Sequence, residues 1–510
     1  MKSTLVAIAI TVAAVIFAFT NWTRAASPAL SREDLAATFD TDMRNVKIEW
    51  DRGDTRPLHI RRKALFDFIY QTYDASAWIP QSLFDGNLVR QVIVGDVDTI
   101  VGEQVGLVLW RDNARIPAFG MAPNASPRSD RLSNDPLRWT VNCLVCHMAE
   151  IDGVAYFGAG TKTFDDLWLG DALKALTNDR WRARLLRDSR DDVLAAEANR
   201  ILHSHHHDKI DSLTRGRSTA FAASHVEMFM RNHDSRMPGI DDVGRGDVKT
   251  PPLWHTAAKM PVARWYTDGS FHGPFPLMAS SMELEKDRSF EALIQTVVPA
   301  IKEEFKGVIR YLRPPRYPYG IDRDLAARGR ALFESRETGC SGCHGVYDGQ
   351  GNVRWPGTHV DVGTDGARVA LVSDGFIDAF NKSPLAVEGA LEKSEGYAAT
   401  PLTGTWANFP YLHNGSVPTL YHLLGPVSER PRIFHVMAAR KLDRVRVGQP
   451  LYTVASHGLL GERELLRRFG NDRNWFNSSR PGSGNGGHDV WRTIQTDDNR
   501  RALIEYLKTL

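Results

Sequence analysis

Hydrophobic positions along this chain fall into short helical runs separated by long polar loops marked by proline and glycine. Residues 65–79 are apolar and aromatic at helical spacing, which predicts a helix packed beside the first half of the chain. Residues 165–176 and 181–202 read as amphipathic helices. Residues 321–334 predict another, with Ala326, Ala327, Leu332 and Phe333 as its apolar positions. A final helix over 497–510 is expected to pack against it. Between these halves runs Leu312-Arg313-Pro314-Pro315-Arg316-Tyr317-Pro318-Tyr319-Gly320, whose prolines predict an extended connector. No alternating run is long enough to build a major sheet. The expected fold is therefore mainly α and loop-rich, in keeping with 26 prolines and 41 glycines.

The first residues bear on the compartment. Lys2 gives a short positive start, residues 5–19 are almost unbroken apolar sequence, and Ala25, Ala26 and Ser27 are small. That layout predicts a secretory signal over residues 1–26, because a membrane span usually needs ~20 apolar residues. An uncleaved N-terminal anchor is the alternative. Either way the bulk of the chain is expected outside the cytoplasm, periplasmic or secreted. The 510 residues then divide into 27–311, the connector 312–320 and 321–510. A hydrophobic content of 42% suffices for sizeable cores, and a net charge of +2 gives no reason to expect a nucleic-acid partner.

An exported protein can form disulfides, yet this chain has four cysteines and all lie in two C-x-x-C-H strings. These are Cys143-Leu144-Val145-Cys146-His147 and Cys340-Ser341-Gly342-Cys343-His344. Two thiols with a two-residue gap can bond both vinyl groups of one haem from a single turn of chain. The adjoining histidine then supplies the proximal nitrogen. A four-thiolate zinc site would join pairs from opposite halves of the chain and leave both histidines unexplained. A thioredoxin-like pair would need a βαβ setting that is not visible. Two covalently bound haem c groups are the expected cofactors, held by Cys143, Cys146 and His147 and by Cys340, Cys343 and His344. Nothing else in the chain repeats internally.

A distal ligand for the second haem is open from the residues alone. His488, after the glycine-rich run 481–487, competes with His359, His413, His422, His435, His457 and Met437. Near the first haem string's partner region, His225, His233, His255 and His272 could each take the first iron. The cluster His203-Ser204-His205-His206-His207-Asp208 reads as a transition-metal site or an exposed polar helix end.

The two haem strings, the connector and Pro410-Tyr411-Leu412-His413-Asn414-Gly415-Ser416-Val417-Pro418-Thr419-Leu420 resemble the bacterial di-haem cytochrome c peroxidase superfamily. Thr250-Pro251-Pro252-Leu253-Trp254 and Gly484-Asn485-Gly486-Gly487-His488 resemble its branch of di-haem rubber and lipid oxygenases. The resemblance implies two cytochrome c-like haem domains packed around a di-haem core. The N-terminal haem, on His147, would do the chemistry, and the C-terminal one, between His344 and His488, would carry electrons. Trp254 would relay electrons between them, Phe271 would line the distal side of the first haem, and His413 would buttress a haem or its propionates. A calcium ion is common between domains of the peroxidases, but no carboxylate cluster here predicts one.

These expectations favour an oxidoreductase that uses dioxygen on an apolar alkene, either a small molecule or a polymer. A peroxidase consuming hydrogen peroxide, with electrons from a small redox protein, is the nearest alternative. A pure electron carrier with both irons six-coordinate is another.

Overall fold

The computed structural model describes residues 32–70, 78–80, 99–110, 118–119, 121–124, 138–165, 214–219, 246–274, 290–349, 351–371, 373–383, 386, 388–451 and 461–510. The signal over 1–26, the helix over 181–202, all but Asp165 of the helix over 165–176, and the 203–208 cluster lie outside them. So do His225, His233 and His457. No described helix is long and apolar enough to cross a membrane.

Four helices frame the candidate sites: α1 (Leu58–Ile69), α2 (Phe290–Gly307), α3 (Arg323–Glu334) and α4 (Asp497–Leu507). In α1 the buried positions are Leu65, Phe68 and Ile69. The helical spacing read through residue 79 stops there, and Trp78–Pro80 is a strand paired with Arg138–Val141. Pairing with the segment that feeds the first haem string overrides the local pattern. In α2 the buried Val298, Ile301 and Phe305 recur at helical intervals, with Pro299 exposed on the opposite side.

Helix α3 begins where Asp322 accepts hydrogen bonds from the backbone N–H groups of Asp324 and Leu325 at 3.1 and 3.0 Å. Thr496 caps α4 in the same way through Asn499 N at 3.2 Å. The two helices cross where Gly329 of α3 meets Ala502 and Tyr506 of α4, and Phe333 packs on Tyr506 with centroids 5.3 Å apart. The buried face of α3 is Ala326, Gly329 and Phe333, while Ala327 is exposed and Leu332 half-buried.

The strands among the described residues are two to four residues long and form sheets of two or three strands. Met148–Ile151 and Val154–Phe157 make a hairpin directly after His147, turned by Asp152 at φ 52° and Gly153 at φ 81°. Both turn residues thus have the positive φ that suits a two-residue hairpin. Arg264–Trp265, Phe271–His272 and Ala390–Leu391 form a sheet drawn from both halves of the chain. The connector is extended but packed: Leu312 is buried and pairs with Trp50, and Tyr317 packs edge-on against Trp406 at 5.6 Å. The main apolar core of the described residues takes in Leu144, Met148, Trp254, Phe271, Trp406 and Leu503, and a small separate cluster holds Phe434, Val436 and Phe476.

Candidate haem sites

The second string is one short helix, Cys340–His344, entered through Gly339 at φ 66°. Its axial histidine is fixed from behind, with Nδ1 of His344 2.8 Å from the Thr400 carbonyl. Donation from Nδ1 to that carbonyl leaves Nε2 as the ligating nitrogen, the arrangement that orients most metal-binding histidines.

The ring of His488 faces that of His344 with centroids 6.1 Å apart and planes inclined at 72°. An imidazole nitrogen sits about 2 Å from a transition metal it binds, so two rings opposed across one metal have centroids about 6 Å apart. The residues therefore fit a haem iron held from both sides. Burial lowers the His488 pKa to about 4, helped by His344 and Arg430, and lowers that of His344 as well. Neutral imidazole is the form that ligates.

His488 is held firmly in an uncommon backbone conformation, φ 46°. Its N–H donates to the Val362 carbonyl at 2.8 Å, and its carbonyl accepts from Arg430 Nη2 at 3.2 Å. Nη1 of the same buried arginine binds the carbonyls of Asn485 and Gly487 at 2.7 and 2.8 Å. Gly487 approaches Gly363 so closely that a Cβ would sit 2.3 Å from its carbonyl carbon. The glycine run thus lets backbone press against backbone, and Arg430 clamps the loop that presents His488.

The first string is a single 3₁₀ turn, Cys143–Val145, capped by Asn142, whose Oδ1 accepts from Leu144 N at 3.0 Å. The Asn142 side chain also donates to the Ile69 carbonyl at the end of α1, at 2.9 Å. His147 is tied down by its own backbone: its N–H reaches the Cys143 carbonyl, and its carbonyl accepts from Gly158 after the hairpin. Its ring is buried, and burial lowers its pKa to about 4, offset in part by the Pro251 backbone. Its Nδ1 is buried and has no hydrogen-bond partner. The set of two thiols, a neutral imidazole and apolar Leu144 and Met148 fits a haem here too. The four cysteines form no disulfide.

Trp254 contacts segments tied to both strings. Its ring packs where a Cβ on Gly158 would be 3.6 Å from Cε3, and its Nε1 donates to the Thr403 carbonyl at 3.2 Å. Gly158 is bonded to His147, and Thr403 follows Thr400, the residue behind His344. Phe271 is fully buried among Tyr266, Phe380 and Leu391. Among the described residues none of these contacts belongs to the Cys143–His147 string.

The other described candidate histidines make contacts of their own, though Nε2 of His359 and of His413 has no hydrogen-bond partner. His255 Nε2 shares the Thr403 carbonyl at 2.9 Å, His272 faces Glu392 at 3.3 Å, and His422 bonds Thr419 at 2.7 Å. His413 is stacked on Tyr397 at 3.8 Å, His359 bonds the Gly357 carbonyl at 2.8 Å, and His435 packs on Trp475 at 5.0 Å.

Residues 396–435 match the family described as RoxA-like, cytochrome c-like. That stretch carries Thr400, which backs His344, and Arg430, which clamps the His488 loop. A cytochrome c-like segment of this kind indicates haem c as the cofactor. Two curated proteins of Sinorhizobium fredii are similar to the chain. "Uncharacterized protein y4iM" is 30% identical over 51% of this chain and 63% of its own length. "Uncharacterized protein y4iJ" is 29% identical over 46% of this chain and 47% of its own. The chain therefore spans less than two thirds of either relative.

Several site residues gave little sign of themselves in the sequence. Lys162 is buried and Lys249 half-buried, and they donate to the carbonyls of Ala407 and Phe409, and of Asn408 and Pro410. Burial lowers the Lys249 pKa to about 7 and takes Lys162 well below its ordinary value. These two cations from the first half bind four successive carbonyls leading into the 410–420 motif.

Proposed function

We propose that the chain is an exported di-haem c-type oxidoreductase. The site at His147 uses dioxygen to oxidise or cleave an apolar alkene, an isoprenoid or an unsaturated lipid. The site between His344 and His488 exchanges electrons, including with a small redox protein. The observation that carries this reading is the opposed histidine pair. With imidazole on both sides the second site has no place for an external ligand, so chemistry with an oxidant falls to the first.

Haem c, when bound, supplies one-electron and dioxygen chemistry, and the chain supplies ligation, orientation and polarity. His147 would ligate the first haem, and burial favours its neutral form. Leu144 within that string and Met148 just after it are buried and apolar. Trp254 spans from Gly158 to Thr403 and is the aromatic link between the two sites.

Two assays separate this reading from its rival. Consumption of dioxygen with an alkene supports it, whereas turnover of hydrogen peroxide with a reduced donor and no alkene would make the protein a peroxidase. Replacing Trp254 with leucine is expected to slow electron exchange between the haems markedly in flash-photolysis or stopped-flow kinetics. Trp254→Phe, which keeps an aromatic ring, should lose less. Equal rates in the wild type and the leucine variant would remove Trp254 from the path.

A further inference from the structure

A second group of buried polar atoms lies beside the His344–His488 site without satisfying itself. Arg368, 3% exposed, sits in the short helix Ala367–Leu371, with Nη2 3.3 Å from Asp268 Oδ2. Its Nε and Nη1 are buried and have no hydrogen-bond partner. Asp268 Oδ2 accepts no hydrogen bond, and its Oδ1 is taken by the N–H and hydroxyl of Ser270 at 3.2 and 2.9 Å. Nε2 of His359 and Nε2 of His413 are also buried and unpartnered. Buried polar atoms are almost always paired, so this many orphans in one place call for a missing partner.

Two features define that partner. Arg264, Lys259 and Lys249 act on the same cluster, against Asp365 and Asp268, so cations outnumber carboxylates around Arg368. Tyr266, Tyr397 and His413 complete the groups facing it, and His359 lies near Asp268. Water would satisfy the donors but leave the surplus charge, whereas an anion answers both. The position is the second feature. His359–Val360 pairs with Tyr397–Ala398, which leads to Thr400 behind His344. In the other direction residues 362–364 pack against Gly487 and His488. The cluster thus hangs from both strands of chain that set the axial histidines.

We propose that Arg368 anchors a buried carboxylate, a propionate of the haem held by His344 and His488. This rests on the haem reading above. A guanidinium with free N–H groups on both edges suits a carboxylate, and a lysine would supply charge without the planar fork.

The test uses the full-length holoprotein. Intact mass first establishes that both porphyrins are attached. Their absence from the wild type would sink the haem reading itself and is seen before Arg368 is touched. In Arg368→Leu with both porphyrins present, the propionate-bending band in the resonance Raman spectrum of the low-spin haem should move down. The ferrous-to-ferric ratio of that haem at fixed ambient potential should fall about tenfold, which is about 59 mV for one electron. Arg368→Lys should recover most of the potential but not the band. Should the leucine variant fail to fold, Asp268→Asn decides: freeing Nη2 from its competitor should move the band upward. An unmoved band in proteins carrying both porphyrins overturns the proposal and leaves a water-filled cluster.

Discussion

Replacing His488 with glycine is expected to convert the second haem from a closed, low-spin centre into one that binds carbon monoxide. Glycine is the informative choice because the backbone at 488 has φ 46°, which glycine adopts without strain. The hydrogen bonds to Val362 and Arg430 use backbone atoms, so they survive the change. Only the imidazole facing His344 across 6.1 Å is removed. The wild type should take up carbon monoxide at the first site alone, and the variant at both. Its EPR spectrum should lose the low-spin signal of the bis-histidine centre and gain a high-spin one. Imidazole added to the variant should restore the original spectrum by filling the gap. A low-spin spectrum that survives the substitution without added ligand would hand the axial position to another side chain.

The parts of this site that were legible in the sequence are those in which chemistry fixes local spacing. Each C-x-x-C-H string declares itself because both thiols and the histidine must come from one turn. His488 stood out through the glycines before it and through the resemblance, while the residues alone did not separate it from His359, His413 or His422. Arg368, Arg430, Lys162 and Lys249 were invisible for a physical reason. A charged residue in a sequence reads as solvated, and only the fold shows which carbonyls come to surround it. The hairpin after His147 was missed although Asp152-Gly153 is a strong turn signal, because its strands are only four residues long. The α3–α4 pair was read correctly as two packed helices, yet its closest contact was not. Apolar periodicity counts side chains, and Gly329 has none.

That contact makes Gly329→Ala a substitution with a large expected cost to stability. A Cβ at 329 would lie 1.9 Å from the Ala502 carbonyl oxygen and 2.8 Å from Tyr506 Cβ. Backbone cannot swing aside as a side-chain tip can, so α3 and α4 must separate. Moving them apart loosens Phe333 from Tyr506 and disturbs buried Leu503 and Leu507. Overpacking of this kind costs about 3 kcal/mol, and alanine's better helix propensity returns less than about 1 kcal/mol of it. Because α3 leads into Cys340–His344, the loss should also weaken the grip on the second haem. Gly375 is the matching control. It lies in the helix Asp374–Lys382 with nothing within 4 Å of where its Cβ would go. Gly375→Ala should therefore be neutral or slightly stabilising. Urea unfolding followed by circular dichroism and by the Soret band would compare them. Equal midpoints for the two variants would mean that the helices do not cross at Gly329.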